Sequence, residues 1–225
     1  MKGWVIPPKE NSSFVAYMEQ VLDVYKRPYS SLNPVICMDE SPKQLIKETR
    51  VPIPMKKGCD IKVDYEYKRC GVCNIFMFCE PLRGKRFVMV SERRTKKEWA
   101  FYLKEISGVY YKEADKITLV MDNLNTHQPS ALYEVFPPAE AKRIWDRFEF
   151  IFTPKHGSWL NIAEIELSVL NGQCLKRRID NIDKVKREVN AWQEHRNNRN
   201  TKVDWQFTTK DSRIKLKRLY PSIDY

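Results

Sequence analysis

The sequence has no run that approaches the roughly 20 consecutive apolar residues a membrane-spanning helix requires. Its first residues, MKGWVIPPKENSS, also lack the apolar core of a secretory signal peptide. Internal repeats and low-complexity linkers are missing as well. We therefore expect a cytoplasmic chain with no membrane association, whose six cysteines remain reduced thiols.

Acidic residues are in deficit. The chain has 29 Asp and Glu against 40 Lys and Arg, which gives a net charge of +11 and a pI near 9.3. Such a basic excess favours a polyanionic partner, most often nucleic acid. With 225 residues, 42% hydrophobic residues and six Trp, the chain can bury a core and is not disordered. Its length fits one large domain, or one domain with small extensions.

A second close pair of cysteines is also missing. Cys70 and Cys73 have the spacing of a zinc knuckle, and Cys59 and Cys79 flank them. Zinc ribbons usually contain two such pairs. Cys79 also alternates with apolar residues in NIFMFCE, as a core residue of a strand would. A zinc site remains an alternative, and stoichiometric zinc in the purified protein would support it.

Apolar periodicity indicates alternating strands and helices. The predicted strands are Val35–Met38, a hairpin over Ile61–Glu80 that turns near Gly71, Arg86–Ser91, Lys116–Met121 and Phe148–Thr153. The predicted helices are Asn11–Tyr25, Thr95–Val109, Ala131–Phe136, Ala139–Phe148, one after Ser158, and Ile182–Arg196. This order predicts an α/β fold in which helices cover both faces of a central mixed sheet.

Two of the apolar strands are each followed by an aspartate, Asp39 and Asp122. Ligand sites of open α/β sheets lie at the carboxyl ends of strands, so adjacent parallel strands would bring these carboxylates together. Two close carboxylates repel each other unless a proton or a cation lies between them, and hard divalent cations prefer oxygen ligands. The alternative is that each aspartate only begins a turn.

The helix within FTPKHGSWLNIAEIELSVLNG carries two glutamates, Glu164 and Glu166. At about 100° per residue they point to nearly opposite sides, so they cannot serve the same site. Glu164 lies beside an apolar stripe, in a polar row with Asn161 and Ser168, and is the better candidate for a site at the sheet edge. Glu166 is predicted to be exposed or paired with a basic neighbour.

Three motifs together resemble one family. CMDESPKQL, LVMDNLNTH and TPKHGSWLNIAEIELSVL are similar, in this order, to the mariner-like bacterial insertion-sequence transposases of the DDE superfamily of endonucleases. ERRTKKEWA, PSALYEVFPP and FTTKDSRIKLKRLYP are also typical of the family. The similarity extends from about Trp4 to Pro221. The resemblance implies a ribonuclease H-like mixed five-stranded sheet and a catalytic triad at Asp39, Asp122 and Glu164.

The resemblance also implies a mechanism. The triad would hold two Mg²⁺ ions, with Mn²⁺ able to substitute, and would catalyse hydrolytic nicking of double-stranded DNA at the element ends followed by strand transfer into target DNA. Such enzymes work as homodimers on paired ends, in the bacterial cytoplasm and nucleoid. The residue types alone support only metal-dependent phosphodiester chemistry.

Side chains around the predicted triad are candidates for contacts with DNA. Some are expected to touch phosphates or hold the catalytic helix in place, and these are Lys155, His156, Ser158 and Asn161. Two basic clusters are further candidates, Lys176, Arg177 and Arg178, and Arg213, Lys215, Lys217 and Arg218. Supporting roles are expected for Asn123, His127 and Trp159, and for His127 a structural role and a catalytic one stay open.

The predicted organisation has three parts: an N-terminal helical arm at 1–33, the catalytic domain at 34–200 and a basic C-terminal extension at 201–225. Relatives carry an N-terminal helix-turn-helix region, for which the residues before the first strand offer too little length. A separate helix-turn-helix polypeptide is therefore a candidate partner. Other interpretations are an inactive DNA-binding remnant of a transposase, another nuclease of the same fold, and a zinc-organised nucleic-acid module.

Overall fold

The structure is a computed structural model, and it describes residues 6–7, 9–122 and 127–222. Its strands are β1 (Val35–Glu48), β2 (Tyr67–Glu80), β3 (Lys85–Ser91), β4 (Ile117–Met121) and β5 (Phe148–Phe152). Its helices are α1 (Ser12–Tyr25), α2 (Lys96–Glu105), α3 (Ser130–Tyr133), α4 (Pro138–Asp146), α5 (Ile162–Leu170), α6 (Ile182–Asn198) and α7 (Thr209–Lys215). A π-helical turn extends α2 over Ile106–Tyr110 and another extends α5 over Asn171–Leu175.

The strands form one five-stranded sheet in the order β3-β2-β1-β4-β5. β1, β2 and β3 are antiparallel neighbours, whereas β4 and β5 run parallel to β1. Cys37 of β1 pairs with Val120 of β4, so the residues that follow each of them emerge at the same edge. The predicted mixed sheet is confirmed, and it brings the segments that contain Asp39 and Asp122 side by side.

Apolar side chains alternate along β1 and feed two cores, one on each face of the sheet. Cys37 points into the core that contains residues of α1, α5 and α6, while Ile36 and Met38 point into the core that contains residues of α2, α3 and α4. At ~25 cal/mol per Å² of apolar surface, this burial on both faces is the main stabilising term for the sheet. Helices therefore cover both faces, as predicted.

The hairpin predicted to turn near Gly71 is wrong. β2 is one continuous strand that pairs with β1, and the connection between them is the segment 49–66. Gly71 lies within β2 at φ +104°, opposite a register shift between Gln44 and Ile46. Glycine at positive φ serves a β-bulge as readily as a turn, which explains the error.

β1 is also longer than the predicted strand. It does not end before Asp39 but continues to Glu48, where it pairs only with β2. The parallel pairing with β4 stops at Cys37. Asp39 therefore lies within β1, just after the parallel pairing with β4 has ended. It is still at the edge of the sheet where β1 and β4 separate.

The segments before residue 34 and after residue 200 pack onto the sheet and the helices that cover it. The backbone N–H of Asn11 donates to the carbonyl of Leu219 at 2.9 Å, and that of Val203 donates to Pro81 at 3.0 Å. Leu219 is fully buried in the same core as α1 and α5. In the part of the chain described, no helix is long and apolar enough to cross a membrane.

Candidate active site

Asp39 lies where β1 and β4 part. Its Oδ1 accepts a 2.8 Å hydrogen bond from the backbone N–H of Glu40. Burial and, to a lesser extent, the negative charges of Asp122, Glu40 and Glu164 raise the pKa of Asp39 to about 7, although that hydrogen bond opposes the change. Asp122 and Glu164 are thus each close enough to Asp39 for their charges to act on it.

Asp122 follows β4 directly and contacts a buried histidine. His127 places Nδ1 3.2 Å from Asp122 Oδ1 and 3.3 Å from the Asp122 carbonyl oxygen. The same ring stacks on Trp99, with ring centroids 5.4 Å apart. Asn123, predicted to support the site, lies outside the described residues. His127 is thus held between Asp122 and Trp99 of α2.

His127 also reaches β1. Its Nε2 lies 3.3 Å from Glu40 Oε2, and Glu40 in turn lies 4.0 Å from Arg94 Nε. Burial lowers the pKa of His127, but its contacts with Asp122 and Glu40 outweigh burial and raise the pKa to about 9. The ring is therefore an imidazolium at neutral pH, and it joins the two strand ends through two charged contacts.

Sequence reasoning missed Glu40 and Arg94. Glu40 stands next to Asp39 in the motif CMDE, and alternation along a strand places it on the opposite face, toward His127. This alternation could have predicted a charged partner for Glu40, because a charged residue on the buried face of an apolar strand needs one. Arg94 lies in a loop after β3, and nothing local in the sequence connects it to Glu40.

The start of α5 is fixed against β1. Asn161 is buried and caps the helix, since its Oδ1 accepts from the N–H of Ala163 at 3.1 Å. Its Nδ2 donates to the carbonyl of Met38 at 2.8 Å, and the hydroxyl of Tyr25 donates to the carbonyl of Leu160 at 2.7 Å. Asn161 is thus the N-cap of α5. Of the two roles expected of Asn161, its contacts support holding the helix.

The two glutamates of α5 have opposite environments. Glu164, in the first turn, is exposed and its charge acts on Asp39. Glu166 is only 2% exposed and is paired with Arg86 and Arg196. Burial raises the pKa of Glu166, but the contacts with these arginines outweigh burial and lower it. The predicted pairing of Glu166 is confirmed, and its predicted exposure is wrong because the apolar side of α5 contains this ion pair.

The turn before α5 presents several of the predicted contact residues to solvent. Lys155, His156 and Ser158 are exposed, and His156 adopts a left-handed φ of +64°. Trp159 is half-buried and packs edge-to-face on Phe207 with centroids 6.1 Å apart. The side chain of Lys155 is therefore accessible to solvent, while Trp159 links this turn to residues after α6.

The basic cluster after α5 is partly neutralised. Arg177 forms an ion pair with Glu188, and Arg178 forms one with Glu48 and also faces the ring of Tyr67. Lys176 is exposed. In the second cluster, Arg213 pairs with Glu19 at 2.9 Å. These ion pairs neutralise part of the positive charge of each cluster within the fold. The positive charge that each cluster can offer to a polyanion is therefore smaller than the sequence suggests.

The four cysteines considered for zinc do not assemble. Cys73 and Cys79 are buried in β2, whereas Cys59 and Cys70 are exposed. Cys79 lies opposite Cys37 in the sheet register. All four cysteines lie within the described residues. Among those residues, no three His, Cys, Asp or Glu side chains form a ready-made metal cluster.

The chain matches the model of the DDE superfamily endonuclease family over residues 34–186, which is more than half of its length. The chain therefore belongs to this family, as the three motifs indicated. No curated protein sequence gives a significant match.

Solved structures share the fold. The Mos1 mariner paired-end complex with Mn gives a TM-score of 0.58 at 13% identity, covering 89% of this chain and 62% of the other. The Mos1 strand transfer complex gives 0.57 at 13%, with coverages of 92% and 66%, and the paired-end complex with Mg gives 0.56 at 11%, with 99% and 67%. The chain thus spans less than two thirds of the first of these proteins. These likenesses confirm the ribonuclease H-like fold.

The donor set suits a hard divalent cation. Asp39, Asp122 and Glu164 offer only carboxylate oxygens, which Mg²⁺ and Mn²⁺ prefer. The raised pKa of Asp39 shows that its charged form is disfavoured by burial and by the neighbouring negative charges. A cation between these groups would remove that penalty, so the residues present fit a metal of this class.

Proposed function

We propose that the chain is the catalytic domain of a DDE transposase, which cleaves DNA phosphodiester bonds at insertion-sequence ends and joins the ends to target DNA. The observation that carries the proposal is the electrostatic coupling of Asp39 with Asp122 and Glu164, which come from β1, the end of β4 and α5. Membership of the endonuclease family gives this carboxylate cluster its chemistry.

Each carboxylate has a role that its position supports. Asp39 and Asp122 would hold divalent ions at the edge of the sheet, and Glu164 would complete the coordination from the opposite side. We propose two Mg²⁺ ions, with Mn²⁺ as a substitute, because the mariner relatives were solved with Mn and with Mg. When bound, such ions stabilise the charge on the attacking and leaving oxygens of an in-line displacement at phosphorus.

The remaining residues position the reacting strand. His127 holds the carboxylate of Asp122 through its charged ring, and Asn161 fixes the start of α5 to the residue before Asp39. Lys155, His156 and Ser158 are exposed and would contact the phosphates beside the cleaved bond, and Lys176 would contact the flanking duplex. Trp159 would keep the turn that carries Lys155 against the body of the protein.

Double-stranded DNA is the proposed substrate and a homodimer on paired DNA ends the proposed assembly. The Mos1 neighbours were solved as a paired-end complex and as a strand transfer complex, which supports both proposals. A separate helix-turn-helix polypeptide is the proposed partner for sequence-specific recognition of the ends. We also propose that the protein acts in the bacterial cytoplasm.

Nicking of supercoiled plasmid tests the proposal. Wild-type protein, Asp122→Asn and Glu164→Gln are compared in Mg²⁺, Mn²⁺ or EDTA, because these substitutions keep the side-chain shape and remove the charge. We expect nicking only with metal and only by the wild type. Glu113→Gln is the control, since its carboxylate is 85% exposed and lies outside the carboxylate cluster.

The alternatives give different results. Equal nicking by all variants would place the activity elsewhere, and binding without cutting would indicate an inactive remnant. Preference for RNA–DNA hybrid or branched DNA over duplex element ends would indicate another nuclease of the same fold.

A further inference from the structure

Arg86 and Glu166 form a buried, two-pronged ion pair between β3 and α5. Nε of Arg86 donates to Glu166 Oε2 at 2.9 Å, and Nη2 donates to Oε1 at 2.7 Å. Their side chains are 2% and 3% exposed. Arg196 of α6 adds contacts of 3.2 Å to both oxygens. The carboxylate of Glu166 is therefore held from two elements at once.

The guanidinium itself has no freedom to turn. Its Nη1 donates to the carbonyl of Gly84 and its Nη2 to that of Thr201, each at 2.7 Å. Asn197 clamps the backbone of Arg86, accepting from its N–H at 2.8 Å and donating to its carbonyl at 2.9 Å. Gly84 permits the approach of this segment, because a Cβ there would lie 2.8 Å from the carbonyl carbon of Asn200.

Stability alone does not explain such a pair. Desolvating two charges costs several kcal/mol, and apolar residues of similar volume often stabilise a core as well or better. A forked ion pair does provide orientation, because it is satisfied in only one arrangement of the two side chains. The relevant question is which feature of α5 requires a fixed orientation.

Glu164 is that feature. It lies two residues before Glu166, so the two side chains leave the helix about 200° apart, and fixing one fixes the other. Rotating α5 by ~20° would displace the Glu164 carboxylate by roughly 2 Å, given a helix radius of about 5–6 Å with side chains. Metal–ligand distances tolerate only about 0.2 Å. The hydrogen bonds of Asn161 and Tyr25 fix the start of the helix, whereas Glu166 holds the helix at its middle.

We infer that Arg86 and Glu166 are positioning residues that set the rotation of α5 and thereby aim Glu164 at the divalent cation site. The inference rests on the proposed function, because it concerns the ligand that Glu164 would provide. It extends that proposal to a strand, β3, that contributes nothing to the carboxylate cluster. Partners that stand behind metal ligands typically change metal affinity by about 10- to 100-fold when altered.

Mn²⁺ binding, followed by electron paramagnetic resonance, tests the inference without relying on activity. The variants are Arg86→Lys, which keeps the charge but loses the fork, and the double substitution Arg86→Met with Glu166→Leu, which replaces the pair by apolar volume. Circular dichroism confirms that each is folded at the temperature used. We expect the dissociation constant for Mn²⁺ to rise roughly 10-fold or more in both.

Glu149→Gln is the matched control. It breaks another forked pair, in which Arg27 donates to Glu149 at 2.6 and 3.1 Å, but on β5 and away from α5. Its Mn²⁺ affinity should stay within about twofold of the wild type. If the folded apolar double variant kept the Mn²⁺ affinity of the wild type while Glu164→Gln weakened binding, the inference would be overturned and the proposed function would stand. Failure of the wild type to bind Mn²⁺ would overturn the proposed function, and the inference with it.

Discussion

Asn161 joins the helix that carries Glu164 to the strand that carries Asp39, through the 2.8 Å hydrogen bond from its Nδ2 to the carbonyl oxygen of Met38. Met38 immediately precedes Asp39, and Asn161 caps the helix whose first turn carries Glu164. One buried amide thus fixes the spacing of two elements that approach from different parts of the sequence. Its removal should disturb both stability and the site.

Asn161→Ala should lower the free energy of unfolding by about 2–4 kcal/mol. The loss of a helix cap costs about 1 kcal/mol, and leaving the buried carbonyl of Met38 unpaired costs about 1–3 kcal/mol more. Urea denaturation measures the change. Asn181→Ala is the control, because Asn181 caps α6 by accepting from the N–H of Lys184 at 2.9 Å but stands exposed. If the two variants lost equal stability, the bond to Met38 would contribute nothing.

His127 and Glu40 should be strongly coupled in stability. His127→Phe keeps the stacking on Trp99 but leaves the carboxylate of Glu40 buried, and among the described residues Arg94, at 4.0 Å, is then its remaining charged partner. Removing one partner of a buried charged pair costs about 3–5 kcal/mol. Adding Glu40→Leu should recover part of that loss, because the uncompensated charge disappears with it. Additive changes in the free energy of unfolding across this double-mutant cycle would contradict the predicted coupling.

The sequence predicted the carboxylates that follow the apolar runs of β1 and β4, because an apolar run that ends in a charged residue is a local signal. It separated Glu164 from Glu166 by helical geometry alone. The contacts that hold the site could not be predicted. Arg86 meets Glu166 across a sequence separation of 80, and Asn161 meets Met38 across 123. Such pairings depend on how strands and helices pack, and no periodicity within one element contains that information.

The errors have the same origin. Gly71 has the local chemistry of a turn, but the strand continues because β1 provides a partner for it beyond Asp39. For Glu166 the sequence left open whether it is exposed or paired with a basic neighbour. Its burial depends on the presence of Arg86 and Arg196, which come from β3 and α6. Long-range partners decided both cases.

Glu80 should make the protein less stable as the pH rises. Burial raises the pKa of Glu80 despite the 2.7 Å hydrogen bond that it accepts from Tyr111. A raised pKa means that the folded state holds the proton more tightly than the unfolded state, so this contribution is complete below about pH 4.3, the ordinary Glu pKa, and is lost as the pH rises through the folded pKa. Glu80→Gln removes the titration and can still accept from Tyr111. Its stability relative to wild type, measured by urea denaturation, should therefore increase above that pH.

Glu149→Gln provides the control with the opposite sign. The pKa of Glu149 is lowered by its hydrogen bond from Arg27, so its contribution is present above the unfolded pKa and is lost as the pH falls. Glu149→Gln should have a lower free energy of unfolding than the wild type at neutral pH, and the difference should decrease as the pH falls. A difference between Glu80→Gln and wild type that stayed constant from pH 4 to pH 8 would show that Glu80 has no raised pKa.

Lys155 should contribute one phosphate contact to DNA binding. It is exposed in the turn before α5, and each phosphate neutralised by a cation adds about 0.9 to the slope of log affinity against log salt. Lys155→Ala should therefore reduce that slope by about 0.9, measured by fluorescence anisotropy with duplex DNA between 50 and 200 mM salt. Lys142→Ala is the matched control, because Lys142 pairs with Asp146 on α4 and lies on the face of the sheet opposite α5. An equal loss of slope in both variants would mean that the protein responds to total charge and has no defined DNA path past Glu164.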